Sequence, residues 1–311
     1  MERDCTTSPA LLLVRPASFG FDEETALSNR FQERGSDEAD SASLAREEFD
    51  KFLEGLRTAG ITAIVKEDSP EPVKPSAVFP NNWISFHADG TVVLYPMATE
   101  SRRLEVRPEW VEEIAAARGL RVRRVLDLRV GAPADAFLEG TGSLVLDRTA
   151  RVAFAALSPR TDTDLVTRFA SELGYEPLCF RAVDPGGVPI YHTNVMLSVG
   201  SSVALVCYES IPDLDERRRL AQRLETGQRI VLELTWEQVC AFAGNALEVD
   251  RPETRPALVL SERAKEALSE AQRRTLEGRI ELVSTPLETI ERLGGGSARC
   301  MVAAIHLPAV T

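Results

Sequence analysis

Histidine and cysteine are scarce in this chain of 311 residues: three of the former (His87, His192, His306) and five of the latter (Cys5, Cys179, Cys207, Cys240, Cys300). The cysteines are odd in number, scattered, and never form a CxxC pair. That excludes a disulfide framework, does not read as a zinc site, and suits a reducing, cytoplasmic setting. No stretch approaches the roughly 20 apolar residues a membrane span needs. The N-terminal MERDCTTSPALLLVRP has early acidic residues and too short an apolar run for a signal peptide. Basic blocks are missing too, beyond Arg217-Arg218-Arg219. With 48 acidic against 36 basic side chains the net charge is −12, which argues against nucleic acid or an anionic membrane as a partner. The GGGS at 294–297 is not followed by Gly-Lys-Thr and opens no βαβ fingerprint, so no nucleotide cofactor is expected; nor is a metal. What is present, 44% hydrophobic and 27% charged residues, is an ordinary globular mix whose length permits two domains or one large one.

A repeat organises that length. Helical periodicity predicts amphipathic helices over about 44–59 (Leu44, Phe49, Phe52, Leu53, Leu56), 108–118, 162–173, 213–226 and 262–277. Pro108 falls at a first-turn position of the second, and Asp162 or Asp164 is an N-cap for the third. Each is followed by a glycine, Gly60, Gly119, Gly174, Gly227 and Gly278, spaced 51 to 59 residues apart and suited to a left-handed helix end. A β-prone run follows each glycine, and some 20 residues further on comes a compact motif: FPNNW (79–83), LEGTGS (138–143), YHTNVM (191–196), FAGNALE (242–248) and GGGSARCM (294–301). Hairpins follow several motifs, turning near Asp147–Ala150 and at Gly200-Ser201-Ser202. The last unit lacks chain for its own hairpin, and the strand ALLLVRP (10–16) supplies the missing partner and closes a ring. One domain of five strand-and-helix blades then gathers the five motifs around one axis.

On residue type alone, Cys300 is either buried packing or a nucleophile. The triple glycine permits close backbone approach, and the adjacent Arg299 would favour a thiolate. Cys179 and Cys207 lie in strand-like runs, Cys240 in a helical one and Cys5 in a terminal tail. His192 is the histidine flanked by small polar residues inside a repeat motif, whereas His87 suits a hairpin turn and His306 the last strand. Glu139 precedes a glycine-rich turn, where it caps the turn or, if buried, needs a partner.

The ordered motifs, from about residue 11 to 308, resemble the pentein superfamily, the five-bladed α/β propellers of guanidine-modifying enzymes related to amidinotransferases. FPNNW, LYPM, LEGTGS, IYHTNVM, FAGNALE, TIERLGGGSARCM and VRPASFGF are most similar to the bacterial citrulline-utilisation hydrolases. The resemblance implies a hydrolase of carbon–nitrogen bonds other than peptide bonds. It makes Cys300 the covalent nucleophile, His192 the general acid and base, and Glu139 the carboxylate that bonds a substrate nitrogen and works with the histidine.

Against that pattern, three positions where guanidine hydrolases carry aspartate are neutral here: Asn82, Gly142 and Asn194. A guanidinium offers only donors and calls for carboxylates. A ureido group offers donors and an acceptor without charge, which asparagine matches. A carboxylate left facing a urea oxygen would cost roughly 1–3 kcal/mol. The expected reaction is therefore hydrolysis of citrulline to ornithine, ammonia and carbon dioxide. Asn82 and Asn194 would hold the reacting group, and Asn81, Asn245, Arg160 and Arg299 the amino-acid end; Arg15, Arg102 and Arg103 are alternatives for the carboxylate. The competing readings are an arginine or methylarginine hydrolase that yields citrulline, and a non-catalytic five-bladed binding protein. The partner is a small amino acid, and the sequence leaves room for a homo-oligomer.

Overall fold

The computed structural model describes residues 10–35, 40–226, 228–251 and 254–310. Fifteen strands form five three-stranded sheets with one repeated plan. In four of them a short inner strand turns back antiparallel into a middle strand, a helix follows, and an outer strand then pairs parallel with the middle one. These are β3 (Ile84–Phe86), β4 (Thr91–Leu94) and β5 (Arg124–Asp127); β6 (Val145–Asp147), β7 (Val152–Ala156) and β8 (Glu176–Phe180); β9 (Leu197–Val199), β10 (Val203–Val206) and β11 (Ile230–Glu233); and β12 (Leu247–Val249), β13 (Ala257–Ser261) and β14 (Glu281–Thr285). The fifth sheet joins the ends of the chain. Its middle strand β1 (Ala10–Arg15) pairs parallel with β2 (Thr62–Glu67) and antiparallel with β15 (Ala303–Ile305), Leu11 opposite Ala304.

The middle strands are buried nearly throughout while the outer strands are half-exposed, which is why the former read as unbroken apolar runs. Their side chains alternate between two neighbouring blades. Leu11 and Leu13 pack with Phe49, Phe52 and Val259, whereas Leu12 and Val14 pack with Trp83, Phe86 and Ile114. Likewise Ala153 and Ala155 meet Val93 and Tyr95 on one side, and Phe154 meets Leu205 on the other. Each interface between blades is thus filled from both of its blades, and the ring closes.

The outer helices are α1 (Ser41–Thr58), α2 (Trp110–Ala117), α3 (Thr163–Leu173), α4 (Leu214–Leu224), α5 (Glu262–Ala267) and α6 (Glu270–Glu277). Asp162 caps α3 and Asp213 caps α4 by accepting the first backbone N–H groups. Gly60, Gly119 and Gly174 adopt the left-handed conformation expected after a helix. Gly278 does not, with φ −66°, and Gly227 lies outside the described residues, as does Cys5.

Three expectations need correction. The single helix over 262–277 is two, because Ser269 accepts from Gln272 N and Gln272 accepts from Ser269 N, a capping box that starts a new helix. Leu44 is exposed, so the apolar face of α1 runs through Ala45, Phe49, Phe52, Leu53 and Leu56. Pro108 lies in the turn before α2 rather than in its first turn. His306 follows β15 by one residue.

Candidate active site

Each motif places its polar residue just before an inner strand. Asn81 and Asn82 lie in the turn Pro80–Asn82 ahead of β3; Glu139 precedes the helical turn Gly140–Ser143 ahead of β6. His192 precedes the turn Thr193–Val195 ahead of β9, Asn245 stands before β12, and Cys300 before β15. The turn at Gly140–Ser143 touches the turns of the Asn82 and His192 motifs. This closeness depends on glycine. At Gly140 (φ +48°) a Cβ would lie 2.2 Å from Asn81 O; at Gly142 it would lie 2.5 Å from Asn82 Nδ2 and 2.7 Å from His192 Nδ1. The missing aspartate at 142 is therefore also a missing side chain that lets Asn82 and His192 close in.

Glu139 is completely buried. One of its oxygens accepts from Ala98 N at 3.0 Å. The other meets His192 Nε2 at 2.8 Å, Arg160 Nη1 at 3.4 Å and Arg102 Nη1 at 3.8 Å. Burial alone would raise its pKa, but Arg160, His192 and Arg102 together hold the carboxyl well below the usual range. Burial is likewise the largest influence on His192. It outweighs the opposing pull of Glu139 and, with Arg160 and Arg102, takes the imidazole down to about 4. His192 is thus neutral near pH 7. The carboxylate at Nε2 fixes the proton there, and among the described residues the Nδ1 lone pair has no partner.

Cys300 is buried, and its Sγ accepts N–H groups from Asn194 at 3.3 Å and Asn245 at 3.2 Å. Asn245 also accepts from the backbone N–H groups of Arg299 and Cys300 and donates to Asn194 O. These bonds make it a brace beside the thiol. Among the described residues Asn194 Oδ1 has no partner. Asn82 accepts from Arg102 Nη1 at 2.6 Å and donates to Asn81 Oδ1 at 2.9 Å. Arg102 in turn is clamped by both oxygens of Glu105, which keep its guanidinium firmly protonated against the effect of burial.

A cavity bounded by Asn82, Arg102, Arg160, His192, Cys300 and Phe79 joins these groups, and its volume of about 10 Å³ holds at most one water. The segment from Asp22 to Glu33 covers it. Asn29 donates to Gly295 O, Gln32 Nε2 to Leu293 O, and Glu33 N to Arg292 O. Arg160 donates from beneath to Thr25 O at 2.6 Å and to Ser28 Oγ at 2.9 Å, while its guanidinium stacks over Tyr191.

The structure thus brings together Cys300, His192, Glu139, Asn82, Asn194, Asn81, Asn245 and Arg160. Arg299 is not brought in: its guanidinium donates to Val302 O and lines a different cavity. Arg15 pairs with Asp50, and Arg103 bonds Met97 O and Ala98 O. Of the alternative arginines, Arg102 is the one present. Glu105, Tyr191 and the Asp22–Glu33 segment were not singled out from sequence. The i,i+3 spacing of Arg102 and Glu105 was the one available signal, and surface ion pairs share it.

A family model described as N,N dimethylarginine dimethylhydrolase, eukaryotic, matches residues 15–307. No curated protein matches the chain significantly. Among solved structures, the chain is similar to the N-terminal domain of ArgZ, an arginine dihydrolase from the ornithine–ammonia cycle in cyanobacteria, seen as a cysteine-to-serine mutant bound to substrate. Identity is 20% and TM-score 0.76, over 97% of this chain and 99% of that one. It is similar to AgrE, seen as a cysteine-to-alanine mutant with L-arginine, at 20% identity and TM-score 0.76, over 97% of this chain but 40% of that one. DDAH from Pseudomonas aeruginosa, a cysteine-to-serine mutant complexed with citrulline, matches at 14% identity and TM-score 0.64, over 96% of this chain and 99% of that one. These likenesses are of fold, and the chain spans about 40% of the length of AgrE.

Proposed function

This chain belongs to the N,N dimethylarginine dimethylhydrolase family and is a hydrolase of carbon–nitrogen bonds other than peptide bonds; on that premise we propose that it hydrolyses the ureido group of citrulline to ornithine, ammonia and carbon dioxide. The observation that carries this reading is the charge around Asn82. The side chain is neutral and bonded to the Arg102 guanidinium; of the carboxylates nearby, Glu139 and Glu105 are already matched by Arg102 and Arg160, and Asp22 accepts from Ser101 Oγ and the backbone N–H groups of Glu24 and Thr25. A guanidinium in this cavity would meet two arginines that line it, whereas a ureido group carries no charge.

Cys300 acts as the nucleophile. Neutral His192 takes the thiol proton, the thiolate attacks the ureido carbon, and the departing nitrogen leaves with that proton, giving a cysteinyl thiocarbamate. His192 then takes a proton from water, and the hydroxide attacks the same carbon. The C–S bond breaks, and the released carbamic acid derivative ends as amine and carbon dioxide. Asn194 and Asn245 stabilise the thiolate through their N–H groups, and Glu139 holds the imidazole tautomer the proton transfers require. Substrate enters as the Asp22–Glu33 segment lifts. That movement releases two Arg160 donors from Thr25 and Ser28 for the substrate's carboxylate.

A second reading takes arginine as substrate, favoured by the resemblance to ArgZ, an arginine dihydrolase. Incubation with citrulline, arginine and dimethylarginine, with products identified by mass spectrometry, separates the two. Ornithine from citrulline alone supports the ureido reading. Ornithine or citrulline from arginine, with citrulline left unreacted, overturns it.

A further inference from the structure

Between the inner strands β6, β9, β12 and β15 lies a second cavity of about 40 Å³ whose polar lining is Arg148, Arg299, His306, Thr141 and Ser198. Arg148 follows β6 in the hairpin turn and is 4% exposed. Its Nη1 donates to His87 Nδ1 at 3.2 Å, and His87 Nε2 in turn faces Ser85 Oγ. Arg299 donates to Val302 O at 2.9 Å. Among the described residues neither arginine has a carboxylate within ion-pair distance, and no acidic residue lines the cavity.

The neighbourhood is cationic in a chain of net charge −12. Burial, then Arg148, His87 and Arg299, depress the pKa of His306 well below its ordinary value; burial, then Arg148, Arg151 and Arg124, do the same to His87. Both imidazoles are therefore neutral and add no charge, yet His306 retains an N–H to donate. A buried guanidinium without a counter-charge is costly, and two facing one space repel each other. Guanidinium, imidazole N–H and hydroxyl groups around one small space are the donor set for an anion. The volume sets the size: room for about three water-sized spheres, enough for a halide or a planar oxyanion of four atoms, and too little for a sugar or nucleotide phosphate.

We infer that this cavity binds a small monovalent inorganic anion, held between Arg148 and Arg299. Chloride and bicarbonate share that chemistry, and bicarbonate alone rests on the proposed reaction, whose carbon dioxide would hydrate to it. Binding is tested without turnover, so failure here leaves the substrate reading standing. Thermal unfolding of the wild-type protein is followed at fixed pH and ionic strength while sodium gluconate, too large for the cavity, is replaced by chloride or by bicarbonate. A saturable rise of about 1–3 °C in Tm with one of them identifies the anion. In Arg148→Met the rise disappears, and the variant is at least as stable as wild type in gluconate because a buried charge has been removed. A flat response to both anions in wild type, or an equal rise in the variant, overturns the inference. A crystal soaked in sodium bromide gives a readout that does not depend on the variant folding. An anomalous peak between Arg148 and Arg299 supports the site, and peaks confined to the surface, an adventitious ion only, reject it.

Discussion

At the end of the axis that holds Cys300, the buried arginines face carboxylates: Glu139 meets Arg160 and Arg102, and Arg102 meets Glu105. Between the inner strands, Arg148 and Arg299 face hydroxyls, a carbonyl and neutral imidazoles. The same five blades build both ends, so the difference lies in individual side chains. Around Cys300, Glu139 and His192 of the motif turns are met by Arg102, Glu105 and Arg160 from outside the motifs, which fixes one tautomer of His192 and commits both carboxylates. A matched end is suited to binding a neutral group and moving protons; an unmatched cationic end is suited to holding an anion.

The largest effect expected at the matched end is kinetic. Cys300→Ala removes the atom that forms the covalent bond, and kcat for citrulline falls by about 10⁴-fold or more. The check is steady-state ornithine release, with Cys300→Ala still folded by circular dichroism. Activity within tenfold of wild type would reject a covalent route for any substrate.

Breaking the charge match itself is next. Glu139→Gln leaves Arg160 and Arg102 without their shared partner in a buried setting, a loss of about 3–5 kcal/mol of stability, read from denaturant midpoints. The pH dependence has a definite sign. The pKa values of both Glu139 and His192 are depressed by folding, so the unfolded chain binds more protons and stability falls on acidification. For His192 the loss spans from its ordinary 6.5 down to about 4, and for Glu139 it begins as the pH falls through the ordinary carboxylate range and continues below it. The acid limb of kcat/KM lies near pH 4 for the same reason. A limb at pH 6–7 would mean that His192 is neither desolvated nor held as described.

Reinstating acids sharpens the contrast between a neutral and a guanidinium substrate. Asn82→Asp with Asn194→Asp adds two carboxylates beside the cavity, one of them against Arg102. The ratio of kcat/KM for arginine over citrulline rises by roughly tenfold, the equivalent of about 1.4 kcal/mol, measured by competition between the two amino acids. A fall in that ratio would remove the neutral asparagines as the basis of selectivity.

Much of this was legible because repetition is a long-range signal. The glycine after each helix and the polar motif before each inner strand sit at similar spacing in every blade, so Cys300, His192 and Glu139 pointed to one axis before any contact was known. Asn245 and Arg299 show where that reading stops. Proximity of their motifs to the axis was correct, but which way a side chain leaves its turn depends on hydrogen bonds that spacing does not encode. Asn245 turned under the Cys300 thiol, and Arg299 turned toward Val302 O. Arg102 and Glu105 lie outside the motifs, on a short helical turn with no repeat to mark it.

The helix expected over 262–277 failed for a local reason, and that reason carries the smallest prediction. Its apolar period continues across Leu268 and Ser269, so periodicity alone joins the two halves. Leu268 ends the first by turning extended, with ψ 136°, and Ser269 starts the second through its reciprocal bonds with Gln272. The Arg273 guanidinium satisfies Leu268 O, left free by the break, at 2.8 Å. Ser269→Ala removes one half of the capping box on the rim, remote from both ends of the axis. The expected cost is about 1 kcal/mol, or a few degrees in Tm, with kcat and KM for citrulline unchanged. A loss of activity without loss of stability would show that the rim helices control the axis, and the two ends could no longer be treated as set by their own turns.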